Sequence, residues 1–205
     1  YDGTSWTEVN DMNTARWSFG SSGKLSTACL AFGGRGLPPN SAATEQWNGS
    51  SWTELNDMNT ARGGAAGFGT YTSALGFGGY ESSPTKLAIT ESWDGSSWTE
   101  VGDLSTARYQ MAGAGADNTS GVGAGGESQP GASVSVSEEW NANLRVNAWS
   151  TQSSLNTGRR LGVGSGIYTL ALYTGGRNPP STYHALTESW SGSSWSEVAD
   201  LNTGR

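Results

Sequence analysis

The chain has 205 residues, among them 31 glycines and 10 tryptophans, and a formal net charge of −7 at pH 7. Its lysines and arginines form no basic stripe that could follow a phosphate backbone, which excludes nucleic acid as a partner. No apolar run approaches the roughly 18 residues of a membrane-crossing helix, which excludes membrane insertion. The single cysteine, Cys29, cannot form an internal disulfide, and its apolar surroundings predict a small buried side chain rather than a reactive thiol.

One phrase recurs five times along the chain, and at residues 91–108 it is "ESWDGSSWTEVGDLSTAR". Its second tryptophan recurs in steps of 46, 46, 51 and 46 residues, and so does the arginine that closes it. A period of this length with strand-like content is typical of the blades of a β-propeller. The repeated positions are Trp6, Trp52, Trp98, Trp149 and Trp195, and Arg16, Arg62, Arg108, Arg159 and Arg205.

The repeat covers the whole chain without a linker, so we predict one all-β domain over 1–205. Its first part, 1–15, corresponds to strands c and d of a partial blade. Four complete blades of strands a to d follow, at 16–61, 62–107, 108–158 and 159–205.

Within the blade at 62–107, strand a is the glycine-rich "GGAAGFGT" and strand b is "SALGFGG". Strands c and d form a hairpin, because Asp-Gly or Asn-Gly between two tryptophans is a strong signal for a tight turn. The insertion "NANLRVNA" lengthens this turn in the third complete blade. A glycine pair ends strand b, since it permits backbone angles that a side chain forbids. These pairs are Gly33 and Gly34, Gly78 and Gly79, Gly125 and Gly126, and Gly175 and Gly176.

Arginine, a hydrophobic strand ending in Gly-Gly, the aromatic residue of "ESW" and then "WTEV" together resemble the kelch repeat. The resemblance implies a kelch-like β-propeller of four-stranded antiparallel blades. It does not imply one function, because kelch-like propellers include protein-binding modules, carbohydrate-oxidising enzymes and surface proteins. The sequence of the repeat also resembles proteins frequent in marine bacteria and phages. Either four blades close alone and leave an extra arm, or residues of a further blade are missing, and we expect the larger ring.

Catalysis is not expected from these residues. The copper site of kelch-like galactose oxidases needs two histidines, and this chain has only His184. The turn "SWDGSSW" resembles the aspartate box of sialidases, but Asn48 and Ser191 replace the acid in two copies. We find no nucleophile with a base and no spacing of metal ligands, so we predict no catalytic residues, metal or cofactor. The alternative is that the chain is a fragment of a carbohydrate-active propeller enzyme.

The arginines of the repeat have two alternative roles. The repeat arginines are expected to pair with the glutamates of "TExW" or with backbone carbonyls, and the alternative is a ring of arginines that binds an anion. These glutamates are Glu45, Glu91, Glu138 and Glu188.

Asn48 and Asn118 fit the glycosylation pattern, but a hairpin turn explains Asn48 without a sugar.

The connectors between strands b and c differ from blade to blade, and they should lie on the same face as the "DxNTAR" phrases. Variable loops on a constant scaffold are a common way to build a binding site, although drift in unconstrained loops gives the same pattern. The candidate binding residues are Arg35, Tyr80, Lys86, Arg177, Tyr183 and His184.

We therefore predict a non-catalytic binding or adhesion module that is extracellular or on a virion surface, such as a phage tail fibre, with a glycan or a protein as partner. The alternative is a structural assembly subunit that packs against sister subunits.

Overall fold

The computed structural model describes residues 3–36, 40–82, 85–129, 131–143 and 148–205. It is an all-β structure of four antiparallel sheets with four strands each, arranged as a four-blade β-propeller, which confirms the predicted fold class. In the described residues no helix is long and apolar enough to cross a membrane.

Each sheet lies within one of the four complete repeats. Blade 1 contains β1 (Gly20–Leu25), β2 (Ala28–Phe32), β3 (Thr44–Trp47) and β4 (Trp52–Leu55). Blade 2 contains β5 (Ala66–Gly69), β6 (Ala74–Phe77), the short ribbon of β7 (Tyr80–Ser82) and β8 (Thr85–Lys86), then β9 (Thr90–Trp93) and β10 (Trp98–Val101). Blade 3 contains β11 (Ala112–Asp117), β12 (Ser120–Ala124), the ribbon of β13 (Glu127–Gln129) and β14 (Ala132–Ser133), then β15 (Ser137–Asn141) and β16 (Ala148–Gln152). Blade 4 contains β17 (Val163–Ile167), β18 (Leu170–Thr174), the ribbon of β19 (Arg177–Asn178) and β20 (Thr182–Tyr183), then β21 (Thr187–Trp190) and β22 (Trp195–Glu197).

The c–d hairpins form as the turn residues predict. The two tryptophans of each hairpin stand directly opposite each other, as Trp93 and Trp98 do in blade 2. The turn between them is closed by Asp94, whose Oδ1 accepts hydrogen bonds of 2.8 Å from the backbone N–H groups of Ser96 and Ser97. The long insertion of blade 3 lies partly outside the described residues.

Indole rings fill the space between consecutive blades. The strand-d tryptophan of each following blade is buried and donates its Nε1–H to a hydroxyl in strand c of the blade before it. These bonds run from Trp98 to Thr44, from Trp149 to Thr90 and from Trp195 to Ser137, at 2.9, 3.0 and 2.9 Å. Burying one indole contributes on the order of 4 kcal/mol of transfer free energy, so these clusters form the core.

A buried ion pair joins each repeat phrase to the blade that follows it. Arg62 and Glu91 are both fully buried, with Nη2 and Oε1 3.2 Å apart. The carboxylate also accepts a 2.8 Å hydrogen bond from the backbone N–H of Asn59. Burial lowers the pKa of Arg62, and Glu91 opposes this effect. The equivalent pairs are Arg16 with Glu45, Arg108 with Glu138 and Arg159 with Glu188. The predicted pairing is confirmed, and a ring of arginines open to an anion is not formed.

The backbone of the same arginine binds the blade that precedes it. The carbonyl of Arg62 accepts a 2.8 Å hydrogen bond from the N–H of Gly34. Gly33 and Gly34 have φ values of 64° and 109°, in the left-handed region that favours glycine. A Cβ on Gly33 would lie 2.7 Å from the Arg62 carbonyl oxygen. The glycine pair is therefore needed for close approach as well as for its backbone angles.

The N-terminal segment differs from the prediction. Residues 3–15 contain no strand, whereas strands c and d were expected there, and Tyr1 lies outside the described residues. Trp6 is 85% exposed. A two-stranded hairpin without the rest of its sheet is only marginally stable, which explains the difference. The segment is still held to blade 1, because the backbone N–H of Asn13 donates a 2.7 Å hydrogen bond to Glu45 Oε2.

Replacing Arg62 with methionine tests the buried pair. Arg62→Met leaves the Glu91 carboxylate buried without its cation, and we expect the free energy of unfolding to fall by about 3–5 kcal/mol. Urea denaturation measures the change. Arg205→Met is the matched control, because Arg205 closes the same phrase but is exposed; it should change stability by less than about 0.5 kcal/mol. Equal losses in the two variants would contradict this role.

The turn at Asp94 makes a prediction about pH. Hydrogen bonds from the backbone of Ser97 and Ser96 lower the pKa of Asp94 to about 2. The folded-state pKa is depressed, so the carboxylate stabilises the fold above its ordinary pKa of 3.8 and this contribution is lost as the pH falls towards about 2. NMR titration of the carboxyl group measures the value directly.

Asp94→Asn is the control, because Asn48 already closes the equivalent turn with bonds of 2.9 Å from Ser50 and Ser51. The variant should keep the hairpin and lose this component of acid sensitivity. A titration midpoint near 3.8, the ordinary value, would show that the turn does not hold the carboxylate.

Candidate functional site

The b–c connectors and the repeat phrases meet on one face of the propeller. In each blade the residue after the repeat arginine pairs through its backbone with the residue after the glycine pair. We call these eight residues the crown: Trp17 with Arg35, Gly63 with Tyr80, Tyr109 with Glu127, and Arg160 with Arg177. The predicted placement of connectors and phrases on a common face is thereby observed.

Aromatic rings and a guanidinium form one half of the crown. The Arg35 guanidinium carbon lies 4.7 Å from the centroid of the Trp17 ring and 5.5 Å from that of Tyr80. Tyr80 in turn contacts Tyr109 edge to face, with ring centroids 5.2 Å apart. The two rings hold the Arg35 guanidinium in position. Because Arg35 is exposed, it still presents hydrogen-bond donors to solvent.

A glycine in blade 2 makes room for this row. A Cβ on Gly63 would lie 2.8 Å from Cγ of Arg35 and 3.0 Å from Oη of Tyr80. The other blades carry Trp17, Tyr109 and Arg160 at the same position. The lack of a side chain in blade 2 therefore lets residues of two neighbouring connectors approach each other.

An acidic residue surrounded by cations forms the other half. Glu127 is only 3% exposed, and its carboxylate pairs with Lys86 Nζ at 3.7 Å and with Arg160. Nζ of Lys86 also lies 5.5 Å from the centroid of the Tyr109 ring. Burial lowers the pKa of Lys86, and the charge of Arg160 lowers it further.

The connectors support one another across blades. In blades 1 to 3, one residue of the b–c connector pairs with the first residue of its own connector and also contacts the first residue of the next one. Asn40 donates to the carbonyls of Tyr80 and Glu81, both at 2.6 Å, Lys86 pairs with Glu127, and Ser133 donates to the carbonyl of Arg177. Such cross-links hold the face in shape without a ligand.

The six predicted residues separate into three groups. Arg35, Tyr80 and Lys86 lie in the contacts described above. Arg177 and Tyr183 face each other in the ribbon of blade 4, where Tyr183 is 57% exposed. His184 lies in the scaffold instead, since its N–H donates to the Gly176 carbonyl and its own carbonyl accepts from the N–H of Arg205.

Sequence analysis missed Trp17, Tyr109, Glu127 and Arg160. A usable signal was present, because each of them directly follows a repeat arginine or a glycine pair. These positions keep their place in the repeat and change their residue type.

The structure also describes the surroundings of three other residues from the sequence analysis, Asn118, Asn48 and Cys29. The side-chain nitrogen of Asn118 donates to Ser92 Oγ and to the Trp93 carbonyl, at 2.9 and 3.0 Å, so a glycan on this nitrogen would break internal bonds. Asn48 is exposed and closes a hairpin turn. Cys29 is half-buried, whereas a buried side chain was predicted. Its partial burial still raises the pKa of the thiol, which opposes formation of a reactive thiolate.

A recess lies along the four inner strands β1, β5, β11 and β17. Its volume is about 390 Å³, and Lys24, Cys29, Phe68 and Ser165 are among its lining residues. Most of the remaining lining is glycine, so the recess offers few side chains that could distinguish a ligand. Within the described part of the chain, no group of three or more His, Cys, Asp or Glu side chains could hold a metal ion. The crown is the better candidate site.

Comparison with known proteins identifies the fold. No protein-family model matches this sequence, and no curated protein matches it. The chain is similar to the solved structure described as "Structure of YjhT", with a TM-score of 0.75 and 14% sequence identity, over 93% of this chain and 72% of that chain. At this identity the likeness supports the propeller fold alone.

The acidic centre of the crown makes a testable prediction. Glu127→Gln removes the charge that both Lys86 and Arg160 contact, so we expect the pKa of Lys86 to fall below its value in the unchanged protein. NMR titration of the Lys86 ammonium group measures it. Glu81→Gln is the control, because it removes the same charge from an exposed glutamate in the β7–β8 ribbon of blade 2. If Glu127→Gln left the pKa of Lys86 unchanged, the ion pair would not be part of the site.

Proposed function

We propose that this chain is a non-catalytic kelch-like β-propeller that binds a glycan through its crown. The observation that carries the proposal is the row of Trp17, Arg35, Tyr80 and Tyr109, in which a guanidinium lies between aromatic rings. Aromatic rings can cover the apolar faces of sugar rings, and guanidinium donors can bind hydroxyl and carboxylate oxygens.

Rigidity supports a binding role. Backbone pairing fixes both ends of the row, and the bonds from Asn40 join two connectors. A ligand that meets a face already held in shape loses less free energy to the ordering of side chains. The aromatic rings and the guanidinium of the row therefore lose less free energy on binding a ligand than they would on a loose loop.

The charges of the crown favour binding over catalysis. The Glu127 carboxylate is neutralised by Lys86 and Arg160, so it is poorly suited to act as a general base. Among the described residues, Arg35 contacts aromatic rings and pairs with no carboxylate, so its donors can reach a ligand. We propose that the protein acts as an adhesion module outside the cell or on a virion surface. A protein ligand for the crown is the second possibility that the test must separate.

Glycan-array binding followed by calorimetry tests the proposal. Arg35→Ala and Tyr80→Ala should each weaken binding of a glycan ligand by about 1–3 kcal/mol, because each removes part of the stacked row. Tyr71→Ala is the matched control, since Tyr71 is 38% exposed in the loop between strands a and b of blade 2, away from the crown.

Full binding by Arg35→Ala and Tyr80→Ala would show that the crown is not the site. Equal loss in the Tyr71→Ala control would point to a general effect on folding. Absence of glycan binding, with crown-dependent capture of a purified protein ligand, would replace the glycan by a protein.

A further inference from the structure

The crown and the b–c connectors carry an excess of positive charge, although the net charge of the chain is −7. In these segments of the four blades, four cationic side chains accompany two carboxylates. The region therefore attracts negatively charged groups at short range. The connectors are 35–43, 80–88, 127–135 and 177–185. The cations are Arg35, Lys86, Arg160 and Arg177, and the carboxylates are Glu81 and Glu127.

The carboxylates of the repeat are engaged in other contacts. The strand-c glutamates are buried in pairs with the repeat arginines, as Glu91 is with Arg62. Asp103 and Asp200 of the "DxNTAR" phrases accept hydrogen bonds from the first N–H group of strand c, at 3.2 and 3.1 Å. Glu100 is exposed on the outer strand of blade 2. Negative charge is thus concentrated on the c–d hairpins, and positive charge on the crown.

The scaffold does not require these cations. In blades 1 and 3 the residue that joins one connector to the next is neutral, because Asn40 and Ser133 donate hydrogen bonds to backbone carbonyls of the next connector. Lys86 occupies this position in blade 2 and pairs with Glu127. A neutral hydrogen bond is therefore sufficient to join two connectors, and the charges of blades 2 to 4 serve another purpose.

Two cations share one carboxylate in the middle of this region. Lys86 and Arg160 both pair with Glu127, so the trio has one positive charge in excess. The side chains of Lys86 and Arg160 are 10% and 13% exposed, so solvent screens their charges less than it would on an open loop. Arg177 is the backbone partner of Arg160 and adds another cation beside it. Like charges in directly opposite positions destabilise each other, so a bound anion stabilises this arrangement.

A continuous series of contacts joins this trio to Arg35. The guanidinium carbon of Arg35 lies 5.5 Å from the centroid of the Tyr80 ring. The rings of Tyr80 and Tyr109 have centroids 5.2 Å apart, and Nζ of Lys86 lies 5.5 Å from the centroid of the Tyr109 ring. The order along the series is cation, ring, ring, cation. A ligand that lies along it meets a positive group at each end and two aromatic rings between them.

We propose that the crown binds an acidic glycan, in which negatively charged groups accompany the apolar faces of sugar rings. The inference rests on the proposed function, because it names the class of glycan that the same site takes. Arg35 binds one anionic group through paired N–H donors of its planar guanidinium, and Lys86 with Arg160 attracts another. Tyr80 and Tyr109 lie against the sugar rings between these groups.

The two features of the series select this ligand over other anions. An acidic peptide supplies carboxylates but few flat apolar faces for the two rings. A long nucleic acid is repelled by the net charge of −7. The carboxylate of a uronic acid and a sulfate ester both present oxygen acceptors to a guanidinium, so the test includes both kinds of sugar.

An array of matched oligosaccharides, followed by calorimetry, tests the requirement for charge. Uronic acid oligosaccharides are compared with their carboxyl-reduced counterparts, and sulfated oligosaccharides with their desulfated counterparts. At least one acidic form should bind about tenfold more tightly than its neutral counterpart, and added salt should reduce the difference. A preference in the first comparison identifies a carboxylate as the bound group, and a preference in the second identifies a sulfate.

Single substitutions locate the preference for acidic sugars. Arg35→Gln removes one positive charge from the crown, and it should weaken binding of the acidic form about tenfold more than binding of the neutral form. Lys24→Gln is the matched control, because it removes the same charge from an exposed position near the end of β1, and it should leave the preference unchanged. Glu81→Gln removes an exposed carboxylate beside Tyr80, and it should tighten binding of the acidic form by about twofold.

Equal binding of the acidic and neutral forms would overturn this inference and leave the proposed function in place. If no oligosaccharide of either kind bound, the proposed function would fail together with the inference. An equal loss of preference in Arg35→Gln and Lys24→Gln would overturn the crown as its source. An oligonucleotide of the same charge that bound as tightly as the acidic oligosaccharide would overturn the glycan as the ligand.

Discussion

The buried pair of the repeat arginine and the strand-c glutamate is the interaction on which the array depends. The repeat arginine binds both neighbouring blades. The backbone carbonyl of Arg62 accepts a hydrogen bond from Gly34 of the preceding blade, and its guanidinium pairs with Glu91 of the following blade. Two buried charges are costly unless they are paired and hydrogen-bonded. The pair therefore stabilises only one register of blade on blade, and the tryptophans and inner glycines then pack in that register.

This constraint separates scaffold from site. Residues that recur in every blade are engaged in joining blades, which leaves them unsuitable for a ligand. Specific chemistry enters where a repeat position changes its residue type, as from Trp17 to Gly63 to Tyr109 along the crown. The crown brings such positions together because the residue after the repeat arginine and the residue after the glycine pair are backbone partners in each blade.

Most of the scaffold could be predicted from sequence, because its signals are local and repeated. The turn at Asp94, the glycine pair before Arg35 and the pairing of Arg62 with Glu91 all follow from spacing and residue type. The crown could be predicted only in part, since the contact of Arg35 with Tyr80 joins two blades and depends on the missing side chain at Gly63. The N-terminal segment was predicted from its similarity to the other repeats, and it lacks the sheet that would make it a hairpin.

Native-state hydrogen exchange of the amides that bind the buried glutamates tests the central claim most directly. These are the backbone N–H groups of Asn59, Ser105 and Asn156, at 2.8, 2.8 and 2.7 Å from a carboxylate oxygen. They lie in connecting segments, where amides usually exchange quickly. If the ion pairs hold the blades together, all three will exchange only through global unfolding, with the slowest amides of the strands. Exchange through local opening at all three sites, with the strands still protected, would contradict the account.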